Sequence, residues 1–257
     1  MMKRLTHRFL VFAAVFALSN ALVATAAEQP GTRKEAIVTA LDGTAQVFTK
    51  GRPGGRALRK GDRLGSEHEI RVGERSRIEI RFPDGTVMRL SEKTHLAMSE
   101  LKYDSKTESK NVQVSLAVGK LWANVRKLMT PDSSVEVKTS NAVAGVRGTV
   151  YRVNVEEDQS ALVKVYDGSV SVASPPKDGA NRQQVPYTAP VPVPGPHEVP
   201  PPMHEVTLEE WHVIVKAMQQ VSISSQGVAS EPQEFDPKAD ADDWVKWNQE
   251  RDRQMKF

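Results

Sequence analysis

Histidines, carboxylates and hydroxyls are the residues of this chain that could do chemistry, and their spacing assigns them none. His68, His95, His197, His204 and His212 form no H-E-x-x-H pair, the spacing that sets two imidazoles on one helical face around zinc. His197-Glu198-Val199 and His204-Glu205-Val206 repeat a tripeptide, which we read as a coincidence of composition rather than a metal site. No serine stands in a G-x-S-x-G elbow, and no glycine run follows the P-loop or dinucleotide fingerprint. The chain has no cysteine, which excludes thiolate metal sites and thiol redox chemistry. No catalytic residue, cofactor or metal ligand is therefore assigned. The residue types predict a protein that binds rather than one that catalyses.

The elements that would present such a binding surface are strands. Ile78, Ile80 and Phe82 alternate with Glu79 and Arg81, and Thr86, Met88 and Leu90 continue the apolar face after Asp84-Gly85. One face apolar and one charged is the pattern of a sheet with a core on one side. Val112, Val114, Leu116 and Val118 alternate up to Gly119, and Leu121, Ala123 and Val125 resume after it. Val150–Val155 and Ala161–Val165 are expected to pair across Glu156–Gln159. Asp42-Gly43, Asp84-Gly85 and Asp167-Gly168 each lie between alternating runs and read as hairpin turns, because both central positions of a type I′ turn need positive φ. Gly61-Asp62 reads as a further turn, and Gly119 and Gly148-Thr149 as breaks where alternation restarts. Gly148 is expected to need positive φ, so Gly148→Val should destabilise the fold. Many short strands with turn residues between them predict a mainly β fold, an antiparallel sandwich or roll.

The ends of the chain read differently. Lys3, Arg4 and Arg8 precede the apolar run Phe9–Leu18, and Ala24-Thr25-Ala26 is a small-residue cleavage site with Ala27 as the next option. Residues 1–26 thus read as a secretory signal peptide, followed by a leader over 27–35. The apolar run falls short of the roughly 20 residues of a comfortable membrane span, and no other stretch approaches that length. The expected location is periplasmic or extracellular. The precursor carries 35 basic and 32 acidic residues. The signal takes three basic residues with it, so the mature chain is formally neutral, with a basic body and an acidic C-terminal part. An exported neutral chain without a basic stripe is not expected to bind nucleic acid.

Several stretches together resemble the FecR domain family from about residue 36 to 173. They are Gly43–Val47, Leu58–Leu64, Ile70–Gly73, Phe82–Thr86, Leu116–Leu121, Val146–Tyr151 and Val165–Val170, in that order and spacing. The resemblance implies an extracytoplasmic, mostly β domain that works by binding. In its founding setting, iron-transport signalling, the family relays an outer-membrane signal to a sigma factor. Here the domain follows the signal peptide almost at once, so the sequence leads us to expect the domain type without the cytoplasmic sigma-regulating segment.

A proline-rich linker is read over 174–205 and an acidic helical tail over 206–257. Thr207 and Glu210 make a capping box, and Leu208, Trp211, Val215 and Met218 form one stripe of a predicted helix ending near Gln220. Trp244 and Trp247 would share a second helical face. Trp211, Val215, Met218, Trp244 and Trp247 are the candidate partner-binding residues, and the expected partner is another envelope protein or an envelope polymer. An alternative is a carbohydrate- or peptidoglycan-binding module in which exposed Trp122, Trp211, Trp244 or Trp247 stacks on sugar faces.

Overall fold

The alternating runs become strands throughout the computed structural model, which describes residues 32–33, 35–176 and 211–255. In chain order they are β1 (Thr32–Arg33), β2 (Ala36–Asp42), β3 (Ala45–Thr49), β4 (Gly55–Ala57), β5 (Arg63–Leu64), β6 (His68–Val72), β7 (Arg77–Arg81), β8 (Val87–Leu90) and β9 (His95–Asp104). They continue as β10 (Lys110–Asn124), β11 (Ser134–Lys138), β12 (Val143–Val146), β13 (Val150–Val155), β14 (Ala161–Asp167) and β15 (Ser169–Ala173). After residue 210 come β16 (His212–Lys216), β17 (Gln219–Ile223), β18 (Gln233–Glu234) and the helix α1 (Asp243–Gln254).

Two sheets face each other across one core. The front sheet runs β4-β3-β6-β9-β10-β11-β12-β15-β16, with β1 beside the far end of β9. The back sheet runs β5-β2-β7-β8-β10-β13-β14-β17-β18. Every pair is antiparallel except β10 with β11, which is parallel. That one pair departs from the all-antiparallel expectation. It arises because residues 125–133 return the chain to the front sheet beside the start of β10. β10 belongs to both sheets. Its first half pairs with β9 and β11, and from Gly119 onward it pairs with β8 and β13. All strands are thereby joined in one barrel-like wrap, although the outermost strands β4, β5, β16 and β18 each pair on one side only.

The break in alternation at Gly119 is thus a crossing between sheets and not the end of a strand. Glycines of positive φ stand at other crossings too: Gly43 between β2 and β3, Gly61 between β4 and β5, Gly148 between β12 and β13, and Gly168 between β14 and β15. This corrects two expected hairpins. Asp84-Gly85 does join a paired hairpin, β7 with β8. Asp42-Gly43 and Asp167-Gly168 instead join strands of opposite sheets that do not pair with each other. The backbone freedom that suits glycine to a tight turn equally suits it to a corner, and alternation in the flanking runs is the same in both cases. Asp62 closes its own corner by accepting from the Arg59 amide at 2.9 Å and from Arg56 Nη1 at 2.6 Å.

The helix expected to end near Gln220 is also corrected. Thr207, Leu208 and Glu210 lie outside the described residues, as does residue 177 onward of the linker read over 174–205. From His212 the chain is extended. Val215 is fully buried in the core, and Ile214 on the opposite face is exposed. The β-branched run Val213-Ile214-Val215 suits a strand, and pairing with β15 outweighs the helical spacing of the stripe. Met218 lies at the corner between β16 and β17 with φ of 63°. The helix that does form, α1, begins where the Asp242 carboxylate accepts from the Val245 amide at 2.8 Å. Arg251 and Arg253 occupy its last turn, where cations complement the helix dipole.

Candidate docking surface

The two outward faces of the fold are treated differently. The outer face of the back sheet carries Glu79, Arg89, Trp122, Arg152, Lys164 and Tyr166, and the C-terminal residues lie over it. Arg89 is fully buried; its Nε donates to Glu79 at 2.8 Å and its Nη1 to Asp252 at 2.7 Å. Arg251 closes the same cluster with two bonds to Glu79, at 2.7 and 3.0 Å, and Trp122 Nε1 donates to Asp252 at 2.9 Å. Asp240 gathers a second cluster, accepting from Arg152, Lys164 and the Tyr166 hydroxyl at 2.6, 2.6 and 2.5 Å. Basic body and acidic tail therefore meet within one chain. Burial and the Asp240 carboxylate both push the Tyr166 hydroxyl up, which keeps it a donor.

Burial alone would push the Glu79 carboxyl up. The hydrogen bonds from Arg251, Thr39 and Arg89 outweigh it and bring the group down to about 2. A carboxylate held below its unfolded value stabilises the fold fully above about pH 4.5, and that contribution is lost as pH falls toward about 2. We expect on the order of 3 kcal/mol to disappear across that window. Urea titrations at stepped pH check this, with Glu79→Gln expected to flatten the profile.

The predicted tryptophans serve this packing. Trp244 and Trp247 stack on each other with centroids 5.4 Å apart, and Arg77 lies 4.6 Å over the Trp247 ring. Trp122 is 1 % exposed and packs against Tyr166 at 4.5 Å. It therefore cannot offer its face to a sugar, which removes one of the four tryptophans named for the carbohydrate-binding alternative. Among the five candidate partner-binding residues, Val215 is closed off in the core, Met218 is exposed at a corner, and Trp244 and Trp247 lie half-buried with the tail. Trp211 is half-buried against the core, its Nε1 donating to the Gly227 carbonyl at 2.7 Å, and it also reaches the edge of the other outward face.

That other face holds a groove of about 850 Å³ on the outer side of the front sheet. Its cause is small side chains. In register across β11, β12, β15 and β16 lie Glu136, Gly145, Ser171 and Ile214; the next row is Lys138, Val143, Ala173 and His212. Gly145 and Ser171 leave a trough in the middle, while Glu136 and Arg147 stand on one side and Trp211, His212 and Ile214 on the other. An added Cβ at Gly145 would meet nothing nearer than the Ser171 carbonyl at 4.0 Å. The trough is thus open space rather than a tight contact. Ser171 and His212 share a hydrogen bond of 2.6 Å at its exposed edge. Among the described residues no carboxylate hydrogen-bonds that imidazole, and no group of three His, Cys, Asp or Glu converges as metal ligands. The groove offers hydroxyls, an imidazole, one charge of each sign and an apolar wall, which is equipment for holding a ligand. Sequence reasoning missed it. The signal was the run of small residues at outward positions of β12 and β15, legible only once those strands are known to be neighbours.

Residues 68–171 match the family model described as FecR protein, within the stretch where the sequence resembles that family. The match runs from β6 into β15 and takes in Gly145 and Ser171 of the groove's floor. Two crystal structures of a protein from Parabacteroides distasonis ATCC 8503, at 1.65 and 2.50 Å and under the provisional name of an anti-sigma factor, are similar at 19% identity with a TM-score of 0.43. Each likeness covers 65% of this chain and 60% of that protein's. A search of the curated proteins finds no match.

Proposed function

We propose that this protein is an exported, non-enzymatic binding module of the cell envelope that holds an extended segment of another envelope protein in the front-sheet groove. The observation that carries the reading is the groove itself, a wide trough floored by Gly145, Ser171 and Ala173 on the outer face of the front sheet. An extended chain laid along β12 and β15 would find hydroxyls along the floor, Trp211 and Ile214 for its apolar side chains, and Glu136 and Arg147 for its charges. Export rests on the signal-peptide pattern of residues 1–26.

Filling the trough tests the reading. Ser171→Arg places a long side chain across the floor at a site with room for it, so the melting temperature should stay within about 2–3 °C of wild type. In-cell crosslinking of the exported protein, read by mass spectrometry, should yield a discrete protein adduct that falls roughly tenfold or more in the variant. Equal adducts in both proteins would remove the groove from the account. Binding of purified peptidoglycan fragments, lost in the same variant, would keep the groove and replace the protein partner with a glycan.

A further inference from the structure

The back-sheet face beneath the C-terminal residues is built as a binding surface, and its present occupant is poorly fitted to be permanent. Three observations support this. First, the contact mixes a small apolar patch with many polar bonds. α1 buries only Val245 and Asn248 fully; Phe235 and Trp244 pack with Val245 around Trp122 and Tyr166, Trp247 lies under Arg77, and Asp252 and Arg251 bond to Arg89, Trp122 and Glu79. Asp240, ahead of the helix, adds the bonds to Arg152, Lys164 and Tyr166. Buried ion pairs often contribute no more than apolar packing of the same volume would, and their best-attested use is to specify a partner.

Second, unmatched polar atoms concentrate at this face. Among the described residues, six buried side-chain polar atoms have no hydrogen-bond partner. Tyr151 Oη belongs to the core, whereas Trp244 Nε1 is on the tail and Arg152 Nε, Arg152 Nη1, Asn154 Oδ1 and Gln220 Oε1 are on the back sheet. Arg152, Lys164 and Gln220 form one cross-strand row over β13, β14 and β17. Each unmatched buried group keeps its desolvation penalty uncompensated, so a segment that satisfied them would bind better than the tail does. Third, charges pair across the contact: Arg89, Arg152 and Lys164 of the sheet meet Asp240 and Asp252 of the tail, and Glu79 of the sheet meets Arg251 of the tail.

We propose that the outer face of the back sheet is a second interaction surface for an acidic, tryptophan-bearing helical segment of another protein, and that the chain's own residues 235–255 occupy it as an internal competitor. Tethering gives that competitor an effective concentration of about millimolar. A partner must therefore present the same acidic spacing with better-matched polar groups, or arrive when the tail is loosened.

The test uses the full chain and, as probe, a synthetic peptide of residues 235–255. Asp240→Asn with Asp252→Asn loosens the internal copy and leaves the face intact. This variant should bind the peptide at least tenfold more tightly than wild type does, and a peptide with lysine at 240 and 252 should not bind. No binding by a variant that retains its native near-ultraviolet dichroism would overturn the proposal, as would equal binding of the two peptides. Should the variant unfold, hydrogen exchange on the wild-type chain decides. The amides of Val245–Arg251 should exchange at least tenfold faster than those of β13 and β14, and faster still when salt is raised. Exchange of α1 at the rate of those strands at both salt concentrations would make the tail a fixed part of the fold and end the proposal.

Discussion

Replacing Arg89 by alanine is expected to cost about 3–5 kcal/mol of folding stability, the loss typical of breaking a buried ion pair from one side. The guanidinium is fully buried on β8, and its bonds run to Glu79 on the neighbouring strand and to Asp252 on the helix. Without it, Glu79 retains Arg251 and Thr39, and Asp252 retains the Trp122 indole. Two carboxylates would then share one cation under a helix that excludes water. The charge left behind, more than the contact removed, sets the size of the effect. Denaturant unfolding measures it. The double variant Arg89→Met, Glu79→Gln should recover about half of the loss, because it removes both charges together. A loss under about 1 kcal/mol for Arg89→Ala would mean that the helix is held by something other than this cluster.

The second large effect is expected at Gly119. Its φ is +103°, where a side chain is strained, and an added Cβ would lie 2.5 Å from the Thr94 Cα. That neighbour is backbone of the adjoining corner, so it cannot rotate aside. Thr94 is itself fixed, since its hydroxyl accepts from the Lys120 amide at 3.1 Å. Strain and overlap together should cost Gly119→Val upwards of about 3 kcal/mol. Gly148→Val should follow the same logic at φ of +106°, with the Lys127 Cα 2.8 Å from an added Cβ. Thermal melts of the two variants check the pair. Melting within error of wild type at Gly119 would show that the crossing of β10 between sheets can relax, which the geometry denies.

Much of this architecture was legible in the chain. The alternation of Ile78, Ile80, Met88 and Leu90 fixes the face each strand buries, and all four are in the core. The break at Gly119 and the restart at Gly148 were visible as well. What alternation cannot show is which strand lies beside which, so the runs around Gly43 and Gly168 suit hairpins and corners equally, and both are corners. The stripe of Trp211, Val215 and Met218 failed for a related reason. A spacing of three and four residues also permits a strand, and the pairing of β16 with β15 decided the matter from a distance. The groove was hidden for the same cause: Gly145 and Ser171 are unremarkable until β12 and β15 are placed side by side. The acidic residues of the C-terminal part and the three-residue spacing of Trp244 and Trp247 are visible in the chain. The charge partners of those acidic residues, on β8, β13 and β14, belong to tertiary structure alone.

The groove's role is tested most directly by photocrosslinking in cells. A photoreactive phenylalanine analogue in place of Ile214, on the groove wall, is compared with the same analogue in place of Glu250 on the exposed side of α1. The account predicts a discrete protein adduct from position 214, none from position 250, and loss of the first when Ser171→Arg is added. The same adducts from both positions, or adducts from 214 confined to residues 177–210 of the same chain, would contradict it.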